Sequence, residues 1–112
     1  MNLSLDEKYN AVVLKLNGKL MGGPFAEEMN VVLHRLIDEN KKKVVVDLSG
    51  VNFVNSSGLG ILIGGFTTMK NGGGSFKIAA QPEKIKGLLS ITKLNQIFEN
   101  YDTVDAALNS FK

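Results

Sequence analysis

The run Lys43-Val44-Val45-Val46-Asp47-Leu48 constrains the fold more than any other stretch. It is β-branched and apolar at consecutive positions, so neither face of such a strand can be given to water. Strands of this kind sit in sheets covered on both sides, and those sheets are mostly parallel. Parallel neighbours cannot be joined by a tight turn; they need a crossover, usually a helix. Helical patterns stand on both sides of the run. Upstream, Pro24 occupies a first-turn position after Gly22-Gly23. Phe25, Met29, Val32, Leu33, Leu36 and Ile37 then form one stripe at helical spacing. Glu27 and Glu28 lie in its first turn and Lys41 to Lys43 just past its end, both suited to the helix dipole. Downstream, residues 56–70 are apolar at Leu59, Leu62, Ile63, Phe66 and Met69, with Ile61 off the stripe, which predicts a helix whose first half is buried nearly all round. Asn71-Gly72-Gly73-Gly74 ends it with residues that accept left-handed dihedrals.

The remaining elements follow from the same reading. Leu3 to Glu7 and the alternating Ala11 to Leu16 form an antiparallel hairpin, with Asn17-Gly18 ending the second strand. Ser75 to Ala80 is a strand. Pro82 opens a third helix with Ile85, Leu88, Leu89 and, at its end, Ile91 inward. A short strand near Ile97-Phe98 precedes a last helix with Val104, Ala107, Leu108 and Phe111 on its apolar stripe and Asp102 or Thr103 as cap. The order is β-β-α-β-α-β-α-β-α. It predicts an α/β fold with a mixed sheet of four to five strands, an antiparallel first pair and helices packed against the sheet. At 112 residues this is one domain, residues 1–112.

Composition removes several classes of function. There is no cysteine, hence no disulfide framework and no thiolate metal site. The net charge of +2 is spread along the chain apart from Lys41 to Lys43, which reads as a helix end rather than a nucleic-acid patch. No apolar run approaches the ~20 residues of a membrane span, and Met1 to Asp6 lacks a signal-peptide layout, so a cytoplasmic protein is expected. The single histidine, His34, falls on the polar side of its helix. No serine sits in a nucleophile elbow with a base at hand, and no acidic cluster offers a metal site. Neither Gly58-Leu59-Gly60 nor Gly72-Gly73-Gly74 precedes the lysine of a phosphate loop. These counts argue against catalysis by this chain, and neither a cofactor nor a metal is expected.

Chemistry concentrates at Val54-Asn55-Ser56-Ser57-Gly58, where a strand hands over to a helix. One reading is structural: Asn55 or Ser56 caps the helix, contributing ~1 kcal/mol, and Gly58 allows close packing. The other uses the same geometry. A helix start at the carboxyl end of a strand presents free N–H groups, and a serine there is open to an outside enzyme. A phosphate on it gains from the helix terminus and places a charge of about −2 in the middle of any docking surface. The two readings are compatible.

The run Asp47-Leu48-Ser49-Gly50-Val51-Asn52-Phe53-Val54-Asn55-Ser56-Ser57-Gly58-Leu59-Gly60 resembles the signature of bacterial anti-sigma factor antagonists, the STAS domain family. Gly18-Lys19-Leu20, Gly72-Gly73 and Asp102 to Leu108 add secondary matches, so the resemblance spans about residues 3–111. It implies a single STAS-type domain that is not an enzyme. In its dephosphorylated form it binds an anti-sigma factor that is also a serine kinase, which releases the sigma factor. Phosphorylation, carried onto Ser56 here, ends the complex, and a PP2C-type phosphatase restores it. The partner surface implied comprises Met21, Gly22, Gly23, Asn55, Ser56, Ser57 and Gly58 on a chain that is monomeric when free. Nucleic acid and membrane are not partners in this reading. The sequence departs from the pattern twice: Asn55 stands where the family has Asp, and the apolar, glycine-rich Met21-Gly22-Gly23-Pro24 stands where the family often carries an acidic residue after the second strand. That loop reads either as a contact surface for a different partner or as a small packed loop. A STAS scaffold without phosphorylation, in a sensor complex or a lipid-transport assembly, is the alternative.

Overall fold

The computed structural model describes residues 2–112. Strand β1 (Asn2–Lys8) and β2 (Ala11–Leu20) form the expected hairpin, turned at Tyr9 and Asn10, which both adopt positive φ. Helix α1 (Pro24–Asp38), β3 (Lys43–Val54), α2 (Ser56–Asn71), β4 (Ser75–Ala79), α3 (Glu83–Ile91), β5 (Glu99–Tyr101) and α4 (Val104–Asn109) follow, with a 3-10 turn at Leu94–Gln96 before β5. The sheet runs β1-β2-β3-β4-β5, antiparallel only between β1 and β2.

This topology explains where the apolar residues went. Three crossovers step the same way across the sheet, so a common hand places α1, α2 and α3 on one face. There Val12, Leu14, Leu16, Val44, Val46 and Ile78 meet Met29, Leu33, Leu62 and Leu89 in the main core. The alternate residues Ala11, Val13, Val45 and Ala79 form a second, smaller cluster under Ala107 and Leu108 of α4. The valine run is thus covered on both faces, and Val44, Val45 and Val46 are fully buried. Lys77 lies on the α4 face. It is buried, yet its ammonium donates to Ser110 Oγ at 2.6 Å and stands 4.0 Å from the centre of the Phe111 ring. Lys41 bridges Glu7 at 3.2 Å and Glu39 at 3.3 Å. Those bonds, Glu7 first, hold its pKa above the ordinary lysine value. No helix of the described residues is long and apolar enough to cross a membrane.

Several boundaries differ from expectation, two of them at glycines. Strand β2 does not stop at Asn17-Gly18. Gly18, at φ 106, absorbs a bulge, and the strand runs on to Leu20. Strand β3 likewise continues past Gly50 to Val54, because the bulged β2 keeps pairing with it as far as Leu20↔Val54. The apolar pair Ile97-Phe98 is not a strand; β5 begins at Glu99. Phe98 is buried because its ring meets Phe66 edge-on at 5.7 Å, while Ile97 is exposed. Pro82 is the cap of α3 rather than its first residue. Ile91, expected inward, is 82% exposed at the last position of that helix. The first half of α2 buries Leu59, Ile61 and Leu62 but leaves Gly60 exposed.

Candidate functional site

Extending β2 to Leu20 and β3 to Val54 brings two strand ends together at the carboxyl edge of the sheet. The Asn55 N–H donates to Leu20 O at 3.3 Å. Asn55 is extended, at φ −104 and ψ −177, and its Oδ1 accepts from Gly58 N–H at 2.8 Å. Asn55, not Ser56, is therefore the cap. Helix α2 starts at Ser56, so the Ser56 and Ser57 N–H groups belong to a first turn that has no intrahelical acceptor for them. Both serines are exposed, and no acidic residue lies in that turn.

Gly58 is buried for a specific reason. A Cβ at this position would overlap the Leu20 carbonyl oxygen. The first turn of α2 is thus pressed against the end of β2, which turns Gly58 inward and leaves Ser56 outside. The loop Met21-Gly22-Gly23 follows directly from Leu20. It crosses beside Ser57: a Cβ on Gly22 would lie 2.8 Å from Ser57 Cβ. Gly23, at φ 86, then turns the chain into α1. The structure therefore gathers Met21 through Gly23 and Asn55 through Gly58 at one edge, with Met21 exposed and Gly58 inaccessible.

One flank of this edge was not visible in the sequence. Phe53, 41% exposed, borders a groove of about 380 Å³ whose other wall is Leu88, Gly87 and Ile91 of α3. Phe53 belongs to the signature, but only the length of β3 shows that it points to solvent. Other chemistry adds nothing here. His34 is exposed on α1, and no three His, Cys, Asp or Glu of the described residues are placed to hold a metal.

The cap is testable by itself. Asn55→Ala should lower unfolding free energy by ~1 kcal/mol. Asn55→Asp should keep the Gly58 hydrogen bond and gain ~0.3–1 kcal/mol from a negative charge at an otherwise acid-free helix start. Urea denaturation of the two variants should move in opposite directions from the unmodified chain.

Comparison with known proteins places this geometry. The STAS domain family model matches residues 2–107. The anti-sigma-B factor antagonist of Bacillus subtilis is 29% identical over 101 residues, 88% of this chain and 91% of that protein. The crystal structure of a Thermotoga maritima protein described as a putative anti-sigma factor antagonist superposes with a TM-score of 0.83 at 25% identity, over 96% of this chain and 92% of the other. The Bacillus antagonist SpoIIAA, solved both without and with its phosphate, shares the fold at TM-scores of 0.72 and 0.73 and identities of 17% and 15%. The unphosphorylated form covers 98% of this chain and 97% of its own, the phosphorylated form 99% and 100%.

Proposed function

The chain belongs to the STAS domain family, and from that membership we propose that it is an anti-sigma factor antagonist whose docking is switched by phosphate on Ser56. The observation that carries this reading is the exposure of Ser56 at the first position of α2, where Asn55 caps the helix and Gly58 is locked against Leu20. A relative of this chain is named as an anti-sigma-B factor antagonist, and a protein of the same fold has been solved in a phosphorylated state.

The mechanism uses this chain as substrate. A partner anti-sigma factor with serine-kinase activity supplies ATP, Mg²⁺ and the base. The Ser56 hydroxyl needs no nucleophile activation from its own fold, which offers none. Attached to Ser56, the phosphate lies next to orphan N–H groups and the positive end of α2, so the isolated domain tolerates it. Docking is different. A dianion shut between two surfaces without a matched cation loses its water, and that cost opposes the complex. The uncharged form docks and displaces the sigma factor. A PP2C-type phosphatase, reaching the exposed serine, resets the cycle. Met21, Gly22 and Gly23 at one side of the serines, and Phe53 at the other, give the partner apolar surface to cover.

The test begins with Ser56→Ala as bait in native-cell extract, to recover an ATP-binding anti-sigma protein. Incubating that protein with the unmodified chain and MgATP should add one phosphate, located by mass spectrometry on Ser56. Phosphate on Ser57 alone, or none, would overturn the assignment.

A further inference from the structure

A second pocket, of about 320 Å³, opens at the carboxyl ends of β4 and β5. Its floor includes Leu89 and Gln81, which is 6% exposed; Lys86, Asp102, Asn100 and Tyr101 also line it. The amide orientations here follow from the hydrogen bonds. Asn100 Nδ2 donates to Phe98 O at 2.7 Å and to Asn95 O at 3.1 Å. Carbonyl oxygens only accept, so the Asn100 amide cannot be reversed, and its Oδ1 must face Gln81. Gln81 Nε2 donates to that oxygen at 2.8 Å. Gln81 Oε1 is thereby fixed on the other side, and it has no partner; it is the one buried side-chain polar atom among the described residues in that condition. An orphaned buried acceptor is destabilising, because it has given up water without gaining a donor. The preceding residue, Ala80, is held at φ 57 by its N–H bond to Tyr101 O, so the turn that buries Gln81 is itself strained.

The rest of the pocket indicates what would supply the missing donor. Lys86 pairs with Asp102 at 3.2 Å and Glu83 at 3.8 Å, so the rim carries no uncompensated cation to attract an anion. Leu89 provides an apolar wall. Lys86 still has ammonium protons to offer a carbonyl. We propose that this pocket binds a small, planar, neutral carboxamide or lactam, whose N–H donates to Gln81 Oε1 and whose C=O accepts from Lys86. Oε1 is shut from bulk water in the free protein, so binding requires pocket side chains to move; the Lys86–Asp102 pair in the lining is an exposed contact of the kind that contributes little and opens readily. The volume lies at the lower end of small-molecule sites, and the carboxyl edge of a parallel sheet is where α/β folds bind ligands.

Titrating the ¹⁵N-labelled chain with nicotinamide, against nicotinate as a probe with the same ring but no N–H, tests this. Nicotinamide should shift the Gln81 and Asn100 side-chain amide signals saturably, and nicotinate should bind at least tenfold more weakly. Gln81→Met, similar in size but without the acceptor, should lose the response while keeping a dispersed folded spectrum. Equal binding of the two probes, no response to nicotinamide, or an unchanged titration in Gln81→Met would overturn the proposal. A crystal soaked in nicotinamide that shows only water on Oε1 would do so without any variant.

Discussion

Gly58→Ala should cost about 2–3 kcal/mol of stability, the upper part of the range for forcing extra atoms into a packed site. For a domain near this size that is a fall in melting temperature of roughly 8–20 °C. The reason is the Leu20 carbonyl oxygen, which occupies the space a methyl group would need. That oxygen is backbone in the last residue of β2, and it also accepts the Asn55 N–H. Relief therefore requires α2 to lift from the strand, which stretches the bond that seats the cap. Gly60→Ala is the matched control. It lies in the same helix two residues on, with open space where its Cβ would point. There alanine should gain ~0.5–1 kcal/mol from helix propensity alone. Opposite signs in thermal melts of the two variants are expected. If Gly58→Ala melts at or above the unmodified protein, the close approach of α2 to β2 is not what holds the serines in place.

Phosphorylated Ser56 should bind the anti-sigma partner about 100-fold more weakly than the free hydroxyl, a difference of ~2.7 kcal/mol. One uncompensated charge of about −2 at a desolvated surface suffices for that. Ser56→Asp carries half the charge on a shorter arm and should weaken binding at least ~10-fold, whereas Ser56→Ala should stay within about twofold. Calorimetry with the recovered partner measures all three. Equal affinities of Ser56→Asp and Ser56→Ala would remove the electrostatic account while leaving family membership untouched. Asn55 sharpens the expectation. Its amide keeps the cap without adding a carboxylate beside the serine, so any repulsion of the partner must come from the phosphate itself.

The Met21-Gly22-Gly23 loop shows how far sequence reasoning reaches. Its nearness to the serines was implied by the family resemblance; in the structure it follows because β2 and β3 are neighbours and both end at the same edge. That it crosses beside Ser57 in particular was not implied, since this shows only in the folded chain, where a Cβ on Gly22 would lie 2.8 Å from Ser57 Cβ. Ile91 illustrates the converse. Its spacing after Leu88 fits an inward position, but α3 ends there and nothing is packed over it. Periodicity assigns a face only while the helix has something to face.

By itself the sequence determined the alternation of strands and helices, the two-sided burial of Val44 to Val46 and the start of α2. These are set by hydrophobic period, by caps and by residues within about one helical turn, all of which are local. Tertiary structure alone decided how far β2 and β3 run, why Gly58 can only be glycine, where β5 lies, and that Gln81 and Asn100 lock each other's amides beside a pocket. Each of those rests on atoms far apart in the chain coming within van der Waals or hydrogen-bond distance. A one-dimensional pattern carries no record of such meetings.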